Sequence, residues 1–332
     1  MGKNKFLIAL LILTIKISIL SAENLFTFDS MLKKAKEFGK MKKVAVAGGD
    51  NLTILQACRK IKDLKVADCI LVGMEEKIVK EAKKGNVDIS DFQIVNRRMY
   101  EDIAVTAAEL IKEGKADIYA KGSLETKYIL KAILDRRRGL RKTRIISGIT
   151  ILEAKKHKKF LIFTDPHVRP YPTLIEKIAL IDNAVEFAHS IGIEKPKVAA
   201  VTALHIVNGK MKETEEAFEL SKLNDSGEIK GCIVDGPLSF DLAINQKTPK
   251  YKGMEHRKIK GDADIILFPN IHSANLSYNL MVYAIQARHA TLLSGTTAPC
   301  VFTSRSADMD AKFNSIVLAI VYSEFLERQT NS

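Results

Sequence analysis

The chain has 332 residues, 46% hydrophobic and 27% charged, which places it among ordinary globular proteins long enough for two domains and a substantial core. Its 52 Lys and Arg against 39 Asp and Glu give a net charge of +13, suited to a phosphorylated small molecule, nucleic acid or an acidic membrane surface. The absence of Trp, the sparse aromatics and the lack of zinc-finger or RNP-like spacing argue against nucleic acid.

Lys3 and Lys5 precede an apolar run at 6–15, and small and polar residues follow to Ala22. This pattern resembles a signal peptide, although Thr14, Lys16 and Ser18 interrupt it. The competing reading is an extension upstream of a start near Glu23 or Met31. Residues 1–22 are set aside from the fold argument, and membrane contact is expected only if they are retained.

From Lys43 onward, short β-branched runs alternate with amphipathic stretches of helical length. Strands are predicted at 43–48, 69–73, 92–95, 117–122, 143–149, 159–165, 197–203, 231–236, 264–269, 290–295 and 299–304. Helices are predicted at 52–62, 75–84, 101–113, 125–134, 174–191, 212–223, 275–288 and 310–328. The strand runs have the continuous apolar character of strands buried on both faces, so the alternation predicts an α/β protein with mostly parallel strands. Eleven strands are many for one open sheet, which favours two α/β lobes divided near the basic stretch at 151–159. Cys58, Cys69, Cys232 and Cys300 form no metal or CxxC spacing and are expected to be buried thiols. Neither a metal nor a redox cofactor is expected.

Polar and glycine residues gather after the predicted strands, where parallel sheets bind ligands. They include Gly48-Gly49-Asp50, Lys121-Gly122-Ser123, Thr164-Asp165-Pro166-His167, Val234-Asp235-Gly236-Pro237, Pro269-Asn270 and Thr303-Ser304-Arg305. The last is the strongest. A hydroxyl beside a guanidinium, after a strand and before a helix N-terminus, combines fork-like donors with unpaired N–H groups and suits an oxyanion. The densest basic cluster, Arg136 to Arg138 with Arg141, Lys142 and Arg144, is either a grip for anionic groups or an exposed basic surface.

The stretches "KKVAVAGGDN", "YAKGSLETKYILKAIL", "IDNAVEFAHSIGIEKPKVA", "IKGCIVDGPLSFDLAI", "GDADIILFPNIHSANLSYNLMVY" and "TSRSAD" run in an order that resembles the phosphate acetyl/butyryl transferase family, its butyryl branch above all. The resemblance extends from about Asn24 to the C-terminus. It implies two α/β domains of the isocitrate/isopropylmalate dehydrogenase-like kind around an interdomain active cleft. Residues 23–150 plus 300–332 would form the first domain and 151–299 the second. It further implies a cytoplasmic homodimer that converts acyl-CoA and phosphate into acyl phosphate and CoA through a ternary complex. CoA is then a substrate and not a resident cofactor. Butyryl-CoA is the expected acyl donor. The alternatives are a phosphate acetyltransferase, or a CoA- or acyl-phosphate-binding homologue with little or no catalysis.

By the same resemblance, Arg305 binds phosphate and Ser304 donates to the thioester oxyanion. The acetyl branch carries an aspartate at helical distance after this pair, as base toward the CoA thiol. Ala311 stands there in this chain, and neighbouring Asp310 is placed in the catalytic set, with Asp308 also near. Expected substrate-binding residues are Lys131, Asp235, Gly236, Pro237, Asn270 and Asn275. Lys131 holds phosphate or CoA, or is a solvated helix lysine; Asp235 is catalytic or caps its loop; Gly236 and Pro237 shape a loop over the cleft. Asn270, His272 and His205 replace acids usual in the family, and His167 and Arg169 are unusual in "DPHVRPYP". His167, His205 and His272 are candidates for general bases that titrate near neutrality, or are histidines with no part in the chemistry.

Overall fold

The computed structural model describes residues 27–154, 157 and 159–330. The signal-like segment at 1–22 lies outside the described residues. Among the described residues, no helix is long and apolar enough to cross a membrane.

The chain opens with α1 (Phe28–Glu37) and β1 (Lys42–Ala47), then α2 (Leu52–Asp63), β2 (Ala67–Gly73), α3 (Glu75–Lys84), β3 (Gln93–Asn96), α4 (Tyr100–Lys112), β4 (Ile118–Lys121) and α5 (Thr126–Leu134). It continues through β5 (Ser147–Glu153), β6 (Leu161–Thr164), α6 (Leu174–Ser190), β7 (Lys197–Val201), α7 (Lys212–Asp225) and β8 (Ile233–Leu238). Two short helices, α8 (Phe240–Ile244) and α9 (Thr248–Tyr251), lead to β9 (Ile265–Leu267). Helix α10 (Ile271–Asn279) runs on as a π-helical turn over Leu280–Ala284, and β10 (Arg288–Ser294), β11 (Cys300–Val301) and α11 (Met309–Thr330) complete the fold. Local signals set the helix starts. Asn51, Thr173, Asn270 and Asp308 each accept a backbone N–H of the first turn, at Ile54, Glu176, Ser273 and Ala311.

Every strand expected from the sequence is present, but they form one sheet, in the order β3-β2-β1-β4-β11-β10-β5-β6-β9-β7-β8. The expectation that eleven strands exceed one open sheet is thus corrected. The reason is β10 and β5, which pair antiparallel with each other and with β11 and β6 and so join two parallel blocks running in opposite directions. The expected strand at 143–149 begins later, at Ser147, because residues 142–145 turn back onto the Gly295 carbonyl and the Thr143 hydroxyl bonds the Ile145 carbonyl. The expected division at 151 also falls inside β5.

One row crosses the middle of the sheet through Ala120, Val301, Leu292, Ile149, Thr164 and Leu267. β4 ends just beyond this row from one side, and β6 and β9 end on it from the other. The carboxyl ends of the two blocks therefore meet at the sheet's centre.

The two faces differ. On one, a continuous core runs from Val44 and Leu71 through Leu292 to Val198 and Val234. Helix α11 covers its middle and is buried on all sides from Ala311 to Ser323, as befits a core helix. On the other face the apolar packing divides into a cluster around Tyr119, Ile129 and Phe302 and a second around Phe163, Leu242 and Phe268. The central strands carry Thr150 and Thr291 on this face, and a cleft opens between the clusters. All four cysteines are buried and free.

Candidate active site

The cleft encloses about 430 Å³. One wall is the turn between β11 and α11. Thr303 is buried at its base, whereas Ser304, Arg305 and Ser306 are exposed to the cleft. Two buried lysines grip this turn by its carbonyls. Lys121, at the end of β4, donates to the Thr303 carbonyl at 3.2 Å. Lys312, in the first turns of α11, donates to the Arg305 carbonyl at 3.4 Å, to Asn51 Oδ1 at 2.7 Å and to Thr53 Oγ1 at 2.6 Å. Burial lowers the pKa of Lys121 to about 8, with the Arg305 charge adding to the effect. Burial likewise lowers Lys312 to about 8, assisted by the Lys121 charge. The Arg305 guanidinium makes no hydrogen bond or ion pair with a described residue, and the Ser304 and Ser306 hydroxyls lie 2.9 Å apart. Two cations, Lys121 and Arg305, and the hydroxyls of Thr303, Ser304 and Ser306 thus converge on one space just before a helix N-terminus, an arrangement that binds anions, while Lys312 braces the turn from outside the lining.

The opposite wall comes from the loop after β6 and from α10. Buried Asp165 accepts the backbone N–H groups of His167, Val168 and Arg169 at 2.8, 3.0 and 3.2 Å, which curls the loop over the sheet. Gly148 permits this: a Cβ there would lie 2.6 Å from Asp165 Oδ1 and 2.9 Å from His167 Cβ. His167 Nε2 lies 2.8 Å from Thr150 Oγ1, which in turn lies 3.1 Å from Thr291 Oγ1. The imidazole meets Tyr278 edge-on at 5.2 Å and Phe302 at 6.4 Å. Burial holds the Asp165 carboxyl up at about 6 despite the backbone N–H groups of His167, Gly148, Val168 and Arg169 that favour its charged form. Burial also drives His167 down to about 3, with the neighbouring His289 contributing, so the ring is neutral throughout the working pH range. Asn275 lines the cleft from α10, donating to the Pro166 carbonyl at 3.1 Å and accepting from Asn279 at 2.9 Å. Among the described residues, no group of three or more His, Cys, Asp or Glu is arranged to hold a metal ion.

The family described as phosphate acetyl/butaryl transferase matches residues 26–103 and 95–320. The chain belongs to this family. It is 41% identical to the phosphate butyryltransferase of Clostridium acetobutylicum over 88% of this chain and 97% of that protein. It is 35% identical to the phosphate acetyltransferase of Thermotoga maritima over 86% of this chain and 96% of that one. The crystal structure of a branched-chain phosphotransacylase from Enterococcus faecalis superposes with a TM-score of 0.77 at 29% identity, covering 85% of this chain and 99% of that chain.

Of the residues expected from the sequence, Ser304, Arg305 and Asn275 come together in the cleft. Others stand elsewhere, for identifiable reasons. Asp310 is exposed at the start of α11 and ion-pairs with Lys60 at 3.1 Å, outside the cleft lining. Asp235 is buried in β8, pairs with Arg257 at 2.7 Å and accepts the Ile259 N–H at 3.0 Å, which is a structural role. Gly236 and Pro237 belong to that strand and not to a loop over the cleft. Five strands separate β8 from β11, roughly 29 Å at the usual spacing. Gly236 lets β8 approach α7, since a Cβ would lie 2.7 Å from the Ala217 carbonyl oxygen. Pro237 is tolerated because β8 is an edge strand. Asn270 caps α10 through Ser273 and faces a separate small pocket beside Thr173 and Lys177. Lys131 is solvated on α5.

Among the histidines, His272 pairs with the Tyr171 hydroxyl at 2.8 Å, and neither it nor His205 lines the cleft. His167 does, but as a neutral ring far from titration near neutrality. The basic residues at 136–138 and at Arg141, Lys142 and Arg144 are exposed. Lys312 was not among the expected site residues, and Lys121 appeared only as one of the residues that follow a strand.

Proposed function

We propose that the cleft transfers a short acyl group, butyryl in the first instance, between CoA and inorganic phosphate. The observation that carries this reading is the Arg305 guanidinium, without a hydrogen-bond or ion-pair partner among the described residues and facing the cleft beside the Ser304 hydroxyl in a chain of this family. Arg305 orients the phosphate with one oxygen toward the thioester carbonyl. Attack forms the C–O bond, and Ser304 donates to the oxygen that gathers charge. Collapse expels the CoA sulfur and leaves the acyl phosphate. No acyl-enzyme is needed, so positioning and charge stabilisation supply the rate.

The dehydrogenase-like two-lobed description fits the opposed parallel blocks on either side of the cleft. The finer division, 23–150 plus 300–332 against 151–299, is adopted with its boundary moved into the shared strands β5 and β10. A homodimer in the cytoplasm, where free CoA is abundant, completes the proposal. A second reading, a phosphate acetyltransferase, draws on the Thermotoga relative. A third, a CoA- or acyl-phosphate-binding homologue with little turnover, draws on Asp310 turning to Lys60 and on Ala311 in place of the acetyl branch's aspartate.

CoA thiol release by the purified full chain, with phosphate and acyl-CoAs from acetyl to hexanoyl, tests all three. Phosphate-dependent release greatest with butyryl-CoA is expected. A methylene changes discrimination by about 1–3 kcal/mol, so the preference is graded. Arg305→Ala is expected to lower kcat at least about a hundredfold with the fold intact. Full activity in that variant would remove Arg305 from the site.

A further inference from the structure

Two polar groups at the base of the cleft lack the partners their burial calls for. Thr303 is 3% exposed, and its hydroxyl has no hydrogen-bond partner among the described residues. Lys121 is also 3% exposed. Its ammonium carries three donors and uses one on the Thr303 carbonyl; no carboxylate among the described residues pairs with it. Buried hydroxyls and ammonium groups are rarely left so in a stable protein, because desolvation goes uncompensated. Both line the cleft, and so does Arg305, nearer solvent.

Building on the transferase reading, we propose that Lys121 and Thr303 form the inner half of the phosphate site and hold the anion from below while Arg305 holds it from the rim. A tetrahedral dianion presents oxygens on all sides, so it can accept from opposed donors at once. A planar carboxylate or a thioester carbonyl offers acceptors on one side only. The anion would also lie between two cations that otherwise repel, since the Arg305 charge already disfavours a charged Lys121. In this arrangement Arg305 selects and admits the phosphate, whereas the Lys121–Thr303 floor fixes its depth and hence which oxygen faces the thioester. The phosphate groups of CoA share this chemistry, so the experiment separates the two sources.

Initial rates of CoA release by the full chain would be measured against phosphate and, separately, against butyryl-CoA, for wild type, Lys121→Met, Lys121→Arg and Thr303→Val. Thermal unfolding with and without inorganic phosphate, in the absence of CoA, gives a readout independent of catalysis. Lys121→Met is expected to raise the KM for phosphate at least about tenfold and to abolish the phosphate-induced rise in melting temperature. Thr303→Val, close to isosteric, is expected to raise that KM severalfold and serves if Lys121→Met does not fold. Lys121→Arg is expected to recover part of the affinity. The KM for butyryl-CoA should move less than about twofold in each. Wild-type affinity for phosphate in both Lys121→Met and Thr303→Val overturns the proposal. So does a rise in the butyryl-CoA KM alone, which would assign the floor to a phosphate of CoA, and so does a wild-type melting temperature indifferent to phosphate. A wild type that is stabilised by phosphate through Lys121 but releases no CoA from any acyl-CoA would sustain this proposal and refute the transferase reading.

Discussion

Lys312→Met separates the two things a buried lysine does here, because it should leave stability nearly unchanged while lowering the rate. Lys312 is fully buried, and burial followed by the Lys121 charge lowers its pKa from 10.5 to about 8. That difference corresponds to about 3 kcal/mol by which folding disfavours the charged amine. Methionine removes this penalty but forfeits the bonds to Asn51, Thr53 and the Arg305 carbonyl, each worth roughly 1 kcal/mol net. Asn51 keeps the Ile54 N–H and the Thr53 hydroxyl, so its carboxamide oxygen is not orphaned. The variant should therefore lie within about 1 kcal/mol of the wild type near pH 7. Its kcat should nevertheless fall between about tenfold and a hundredfold, because the Ser304–Arg305 turn loses its tether to α11. The pH dependence gives a further check. Below about pH 8 the amine is charged in both folded and unfolded chains, and the penalty is complete. Between about 8 and 10.5 the folded chain has released the proton and the unfolded chain retains it, so stability rises with pH; above 10.5 the penalty is gone. Lys121 contributes in the same window, so Lys312→Met should keep about half of the rise. Urea unfolding from pH 7 to 10, with kcat at pH 7, measures both. A variant several kcal/mol less stable at pH 7, with kcat unchanged, would refute the argument.

Asp310→Asn is expected to leave kcat within about twofold and stability within about 1 kcal/mol, since it breaks only an exposed pair with Lys60. A rate loss beyond tenfold would return Asp310 to proton transfer. Gly148→Ala is expected to push the loop that Asp165 organises off the sheet, with a loss of about 1–3 kcal/mol in urea unfolding and roughly tenfold in kcat. An unchanged kcat would show that the His167 wall of the cleft is dispensable.

The strands were legible because burial on both faces writes continuous apolar runs, and all eleven were found in place. Their assembly was not legible. The runs carry no mark of direction, and the antiparallel pairing of β5 with β10, which fuses the blocks into one sheet, joins residues about 140 apart in sequence. Shifts in boundary have local causes: the 142–145 turn delays β5, and the Asn270 cap starts α10 four residues before the expected helix. Helix α1, which was not among the expected helices, is short and rests on three buried residues, Phe28, Met31 and Ala35.

Half of the site was legible for a reason that also explains the errors. The rule that ligands lie beyond the carboxyl ends of parallel strands presumes that those ends share one edge. Here the two blocks run oppositely, so the rule holds only for strands beside the switch of direction: β4, which brings Lys121, β11, which brings Thr303 to Arg305, and β6, which brings His167. Strand β8 is equally rich in polar and glycine residues at its end, but it lies at the far edge, and Asp235, Gly236 and Pro237 serve packing there. Lys312 was hidden differently. A helix lysine normally reads as solvated, yet from Ala311 to Ser323 this helix has no solvent face, so its one ammonium is internal. The sequence signal that finds it is the absence of a polar stripe along 313–322, where the only polar residues are Asn314, Ser315 and Tyr322. A cation at the head of such a helix has nowhere to go but toward the neighbouring strand ends, which is where the anion site lies.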